Sequence, residues 1–177
     1  MFATCCIGVG SPHGDDQAAW RIVERLLNRA EVESSLDALR IVAVADPLHL
    51  LEHIDPCDRL IVVDACRTGA PPGTVSRFRW PDARIAHQHG RSTHGCDIAM
   101  ALKLAAALDK LPDEVVLFGI EIEACRPGTD LSSSVVAGLD ALERNLLRKI
   151  QGLPPEGGGI HVDNEMHLRG DRAGSGT

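Results

Sequence analysis

The chain has 177 residues, of which 44% are hydrophobic and 24% are charged, and its formal net charge is -7. This length and balance predict one globular domain with a substantial core. The negative charge argues against a surface for nucleic acid or anionic membranes, and no stretch approaches the roughly 20 apolar residues of a membrane span.

Patterns typical of strands and helices alternate along the chain. Apolar or alternating segments predict five strands, at residues 4–9, 40–45, 60–63, 74–79 and 114–120. Segments with helical periodicity lie between or after them, at residues 15–29, 47–53, 95–108 and 132–150. This alternation predicts an α/β fold, a three-layer α/β/α sandwich with a mostly parallel central sheet. We expect the third strand at the centre of the sheet and the fourth to be an edge or hairpin-like strand.

We expect a single domain over residues 1–151. From residue 152 the chain is rich in Gly and Pro, which predicts a disordered tail at residues 152–177. A tail that is processed, or that a partner orders, is the alternative. The start, Met1-Phe2-Ala3-Thr4, lacks the basic residues of an export signal, so we expect a cytoplasmic protein whose six cysteines are reduced thiols.

An acid pair follows the first strand, in the segment Gly8-Val9-Gly10-Ser11-Pro12-His13-Gly14-Asp15-Asp16. A strand, a glycine turn and a helix start usually bind an anion, but two carboxylates repel a phosphate and favour a cation. We expect Asp15 to be the N-cap of the helix that follows. Asp16 heads an apolar stripe formed by Trp20, Val23 and Leu27, where an acid without a partner is unfavourable.

Further candidate ligands follow the later strands. Ligand sites of open α/β sheets lie beyond the carboxyl ends of the strands, and the second and third strands end at Asp46 and Asp64. His94 opens a later helix, where a lone histidine is more often a core or capping residue than a ligand. Together, Asp16, Asp64 and His94 are a three-ligand set suited to a divalent transition metal. Extra ligands are available at His13, Cys96, His87 and His89, although the last two are typical of a solvated loop.

These residues make the chain resemble the hydrogenase maturation endopeptidases, which process the large subunit of nickel-iron hydrogenases. In that family the matching residues bind metal, so the resemblance implies metal-binding and catalytic roles for Asp16, Asp64 and His94. The resemblance extends to about residue 150, and its segments occur in order along the chain. They are Gly8-Val9-Gly10 with Gly14-Asp15-Asp16, Leu60-Ile61-Val62-Val63-Asp64-Ala65, Ser92-Thr93-His94-Gly95, Leu117-Phe118-Gly119-Ile120-Glu121 and Leu131-Ser132.

The resemblance implies a metal-dependent endopeptidase that removes the C-terminal peptide of the hydrogenase large-subunit precursor after nickel insertion. It implies that the enzyme recognises nickel supplied by the substrate and needs no organic cofactor. We expect a monomer with no nucleic-acid or membrane partner. The nickel either polarises the scissile carbonyl or water, or only positions the substrate while a carboxylate acts as base.

Two other interpretations stay open. Ser11-Pro12-His13 stands where the family commonly has Asn, Asp46-Pro47 where it has Asp-Gly-Gly, and Ile122 where it often has Pro. The unusual turn at residues 11–13 favours the alternative of a non-catalytic nickel-checkpoint or chaperone protein that binds the precursor without cutting it. A nucleotide-binding α/β domain is the third interpretation, against which the acid pair argues.

Overall fold

The computed structural model describes residues 2–30, 36, 38–54, 56–82, 98–154 and 160–162. The strands are β1 (Phe2–Val9), β2 (Leu39–Val44), β3 (Cys57–Cys66), β4 (Val75–Arg79), β5 (Glu114–Glu121) and the short β6 (Ile160–Val162). The α-helices are α1 (Ala18–Ala30), α2 (Ile98–Ala107) and α3 (Ser133–Ile150). Short 3-10 segments lie at Gly14–Gln17 and at Pro47–Glu52.

The strands form one mixed sheet in the order β2-β1-β3-β5-β4-β6. Strand β1 pairs in parallel with both β2 and β3, and β3 pairs in parallel with β5. Strand β4 runs antiparallel to β5. It lies second from the edge instead of at the edge as predicted, because β6 pairs with its outer side. The predicted mostly parallel sheet, with the third strand at its centre, is confirmed.

Helices cover both faces of the sheet, which confirms the predicted three-layer α/β/α sandwich. One core packs α1 and α3 against the sheet, and the other packs α2 and the 47–52 segment against the opposite face. Strand β3 supplies both cores, since Ile61 and Val63 face α1 and α3 whereas Leu60 and Val62 face α2. Because strand side chains alternate, Asp64 continues the α2 face at the carboxyl end of β3.

The start of α1 differs from the sequence prediction. Residues 14–17 form a 3-10 turn, which has about three residues per turn instead of about 3.6, so the helical phase shifts. The buried face of α1 passes through Ala19, Ile22 and Leu26, whereas Leu27 is 45% exposed. The predicted stripe through Leu27 is therefore wrong, although Asp16 itself is buried.

Part of the predicted tail belongs to the sheet. Residues 160–162 pair with Val75, Ser76 and Arg77 of β4. Residues 155–159 and 163–177 lie outside the described part of the chain, so the domain boundary at residue 151 and the disordered tail stay predictions. In the parts of the chain that are described, no helix has the length and apolar character needed to cross a membrane.

Candidate functional site

The acid pair lies where β1 and β3 end. These strands are parallel neighbours, and Gly8 of β1 pairs with Val63 of β3. Asp64 is the next residue along β3 and is half-buried, while the buried Asp16 comes from the 3-10 turn that follows β1. That turn contacts β3. The structure therefore brings Asp16 and Asp64 together at the sheet edge where α/β proteins bind ligands.

The turn after β1 fixes the position of Asp16. The amide of Asp16 donates to the carbonyl of His13 at 3.1 Å, and the amide of Gly10 donates to the carbonyl of Val44 at 3.1 Å. The indole N–H of Trp20 donates to the same Val44 carbonyl at 3.1 Å. A Cβ atom on Gly10 would lie 2.4 Å from the carbonyl oxygen of Asp16, so only glycine permits this close approach.

The two carboxyl groups of the pair influence each other electrostatically. Burial and the charge of Asp16 raise the pKa of Asp64 to about 8, against a hydrogen bond from the Ala65 backbone that lowers it. At neutral pH the Asp64 carboxyl is therefore largely protonated in the free protein. A bound cation would favour the charged form and release that proton, because opposite charge stabilises a carboxylate.

Asp15 does not cap its own helix, so that prediction is wrong. Its buried carboxylate accepts hydrogen bonds from the backbone N–H groups of Glu123 (2.9 Å), Ala124 (3.0 Å) and Ser132 (2.6 Å), and from the Ser132 hydroxyl (3.1 Å). Burial by itself raises the pKa of Asp15, but these hydrogen bonds lower it below its usual value. Asp15 thus anchors the loop between β5 and α3, whose donors are distant in sequence.

Asp46 caps the short segment that follows it. Its Oδ1 atom accepts the backbone N–H of Leu48 at 2.8 Å, and Pro47 occupies the start of the 3-10 segment. A proline is favourable there because it has no N–H to leave unsatisfied. The acid at the end of β2 therefore has a local structural role.

The third predicted ligand, His94, lies outside the described residues, as do His87, His89 and Cys96. The side chain of His13 is exposed. Within the described part of the chain, no three His, Cys, Asp or Glu side chains form a group that could hold a metal ion. The metal-binding roles of Asp16, Asp64 and His94 therefore stay predictions.

Two groups that the sequence analysis did not assign lie beside Asp64. Cys66 is two residues further along β3, and the buried Glu121 is its register partner on β5. The Sγ atom of Cys66 lies 3.7 Å from Oε2 of Glu121. Burial, followed by the charges of Glu121 and Asp64, raises the pKa of the Cys66 thiol. Glu121 follows an apolar strand just as Asp64 does, and this pattern is the signal that could have identified it.

The loop after β5 also lies near the acid pair. The half-buried Cys125 donates its thiol to the carbonyl of His13 at 3.4 Å. Burial and the charge of Asp16 raise the pKa of this thiol, while the charge of Arg67 lowers it. Cys125 therefore lies within electrostatic reach of both Asp16 and Arg67.

Comparison with known proteins assigns the chain to a family. A family model described as hydrogenase maturation protease matches residues 20–149. The chain belongs to the hydrogenase maturation protease family. This confirms the resemblance seen in the sequence, and the matched region contains β3 with Asp64.

The chain has relatives among both sequences and solved structures. It is 32% identical over 114 residues to the hydrogenase expression/formation protein HoxM of Cupriavidus necator, an alignment that covers 60% of this chain and 55% of that protein. The alignment thus spans little more than half of the curated relative. Solved structures share the fold as well.

The hydrogenase maturating endopeptidase HybD from E. coli superposes with a TM-score of 0.67 at 22% identity, covering 86% of this chain and 93% of that one. The [NiFe] hydrogenase maturation protease HybD from Thermococcus kodakarensis gives a TM-score of 0.66 at 21% identity, covering 85% and 99%. At these identities both structures show that the maturation proteases share one α/β/α architecture with this chain.

Proposed function

We propose that this protein is an endopeptidase that removes the C-terminal peptide from the large-subunit precursor of a nickel-iron hydrogenase after nickel insertion. Asp16, Asp64 and His94 would bind the nickel of the precursor. The observation that carries the proposal is the pair of carboxyl groups at the adjacent ends of β1 and β3, where burial and Asp16 raise the pKa of Asp64 to about 8.

The chemistry of this pair suits a nickel ion. Two neighbouring carboxylates repel each other unless a proton or a cation lies between them. Carboxylate and imidazole groups bind divalent transition metals such as nickel, so His94 would complete the set with Asp16 and Asp64. In this proposal the nickel arrives with the precursor as part of the substrate, and the protease carries no organic cofactor.

Binding the precursor's nickel would position the peptide bond that is cut. Fixing a reacting group in place accounts for a large part of enzymatic rate enhancement, because the entropy of bringing the groups together is lost on binding. Two variants share this geometry. The nickel either polarises the scissile carbonyl or a water molecule, or serves for positioning while a carboxylate takes the proton of the attacking water.

The test is a cleavage assay with purified nickel-loaded precursor, in which mass spectrometry follows the mass of the large subunit. We expect the wild-type protein to shorten the nickel-loaded precursor and to leave the nickel-free precursor intact. Asp16→Asn, Asp64→Asn and His94→Ala should each lower the rate by about 100-fold or more. Asp58→Asn is the matched control, since Asp58 is exposed on the same strand as Asp64.

Each outcome of this assay separates the interpretations. Full activity in all three site variants would contradict the assigned residues. A wild-type protein that binds the nickel-loaded precursor without shortening it would favour the checkpoint or chaperone alternative.

We also propose a cytoplasmic monomer without nucleic-acid or membrane partners, for which light scattering of the purified protein should give the mass of one chain, 19.0 kDa.

A further inference from the structure

Glu121 carries a buried carboxylate that the proposed chemistry does not use. It is 4% exposed, at the end of β5. Its Oε2 atom accepts hydrogen bonds from the backbone N–H of Thr68 at 2.8 Å and from the Thr68 hydroxyl at 2.7 Å. Its Oε1 atom accepts the backbone N–H of Gly69 at 2.9 Å. Both carboxylate oxygens therefore bind the same short turn, residues 67–69.

In the described part of the chain, the groups that form hydrogen bonds with this carboxylate are donors. Besides the donors of Thr68 and Gly69, the thiol of Cys66 points at Oε2 from 3.7 Å. A glutamine at position 121 would keep one acceptor oxygen and turn an NH₂ group toward a backbone N–H of Thr68 or Gly69. A buried donor that faces another donor is destabilising, so the turn requires a carboxylate at this position.

The anchored turn begins where strand pairing stops. The pairing of β3 with β5 runs to Cys66 opposite Glu121, and the amide of Ile122 donates to the carbonyl of Cys66 at 3.0 Å. Beyond that point the chain leaves the sheet, with Gly69 at a φ of 94°, in the left-handed region that favours glycine. The carboxylate of Glu121 therefore accepts three hydrogen bonds from the turn that follows the strand carrying Asp64.

The turn follows directly on the end of the strand that carries Asp64. Its first residue, Arg67, is exposed and within electrostatic reach of Cys125, and Cys125 is in turn within electrostatic reach of Asp16. The turn and the loop that carries Cys125 therefore both lie near the acid pair, and the turn begins three residues after Asp64. A precursor segment that brings its nickel to the pair would come close to this turn.

We infer that Glu121 is a positioning residue, which holds the 67–69 turn as a wall of the precursor-binding site. This inference rests on the proposed function. Loss of the anchor leaves Asp64 in place, because Asp64 is fixed by strand pairing opposite Gly119. A loosened turn therefore weakens precursor binding and raises KM, while kcat stays close to that of the wild type.

The experiment measures steady-state cleavage of nickel-loaded precursor by Glu121→Gln, Glu121→Asp and the control Glu123→Gln. Glu123 is exposed two residues further along, so the control makes the same chemical change without touching the turn. We expect Glu121→Gln to raise KM by about tenfold, because losing a hydrogen bond to a charged group has an effect of about that size. The kcat of this variant should stay within about twofold of the wild-type value. Glu121→Asp keeps both acceptor oxygens, so its KM should lie between the KM of the wild type and that of Glu121→Gln.

The possible results are distinguishable. If the wild-type protein does not cleave, the proposed function fails, whatever Glu121 does. If the wild type cleaves and Glu121→Gln keeps the wild-type KM, the inference is overturned. A lower kcat at unchanged KM would also overturn it, because that result reflects a smaller folded fraction.

A second variant keeps the inference testable if Glu121→Gln does not fold. Thr68→Val removes one donor from the exposed turn and leaves the carboxylate and its two remaining backbone bonds intact. We expect a smaller rise in KM in the same direction. An unchanged KM in folded Thr68→Val would overturn the inference.

Discussion

Asp64 at the end of β3 lies beside Asp16 of the turn after β1, and burial together with the Asp16 charge raises the pKa of Asp64 to about 8. Two carboxyl groups held this close need a proton or a cation between them. In the free protein at neutral pH, a proton on Asp64 meets this need. In the proposed function, the nickel of the precursor replaces it.

The raised pKa of Asp64 predicts how the stability of the metal-free protein varies with pH. The folded pKa of about 8 lies above the unfolded value of about 3.9, so the folded state binds more protons between these values. Stability should therefore fall as pH rises from about 4 to about 8. Asp64→Asn removes this effect and should raise the free energy of unfolding more at pH 8 than at pH 5.

Urea denaturation at pH 5 and at pH 8 measures this difference. Asp58→Asn, on the exposed part of the same strand, should follow the wild type at both pH values. A gain from Asp64→Asn that is the same at both pH values would contradict the pKa assigned to Asp64.

The anchor formed by Asp15 predicts the opposite pH dependence. Its folded pKa is lowered, chiefly by hydrogen bonds from Ala124 and Ser132 that outweigh the effect of burial. Its contribution to stability is therefore fully present above the unfolded pKa of about 3.9 and is lost as pH falls through the folded pKa. Asp15→Asn should destabilise the protein by about 2–4 kcal/mol at pH 7, since several bonds to a buried carboxylate are disrupted.

The control for Asp15 is Asp130→Asn, because Asp130 is exposed in the same loop. Thermal unfolding at pH 7 and at pH 3 should show a large loss for Asp15→Asn at the higher pH and a smaller one at the lower pH. Equal stability of Asp15→Asn and Asp130→Asn at pH 7 would show that the anchor is not important.

The contact between Cys66 and Gly119 predicts a compensating pair of substitutions. A Cβ atom on Gly119 would lie 2.9 Å from Sγ of Cys66. Gly119→Ala should therefore cost about 1–3 kcal/mol of stability through overpacking. Adding Cys66→Ala removes the clashing sulfur, so the double variant should be more stable than the sum of the single effects predicts. Additive effects in chemical denaturation would contradict this packing.

The sequence predicted the fold well because its signals are local. The apolar run before Asp64 encodes a buried strand, and the alternation of strand and helix periods encodes a parallel sheet with helices on both faces. The adjacency of Asp16 and Asp64 then follows from the rule that parallel strands end at one edge of the sheet. His94 lies outside the described residues, so its place in the site stays a prediction.

The features that the sequence analysis missed depend on contacts between distant segments. Asp15 binds donors at Glu123, Ala124 and Ser132, and no local pattern distinguishes such an anchor from a helix cap. The wrong buried face predicted for α1 has a local cause. A 3-10 turn precedes the helix, and a pattern with a period of about 3.6 residues does not detect such a turn. Glu121 was not assigned a role because its three donors lie in a turn remote in sequence.

The most direct test of the central claim is a double-mutant cycle on Asp16 and Asp64, read as the single-turnover rate of nickel-loaded precursor cleavage. If both carboxylates hold the same nickel ion, Asp16→Asn and Asp64→Asn should each lower the rate nearly as much as the double variant does. Wild-type activity in either single variant, or losses that simply multiply in the double variant, would contradict a shared site.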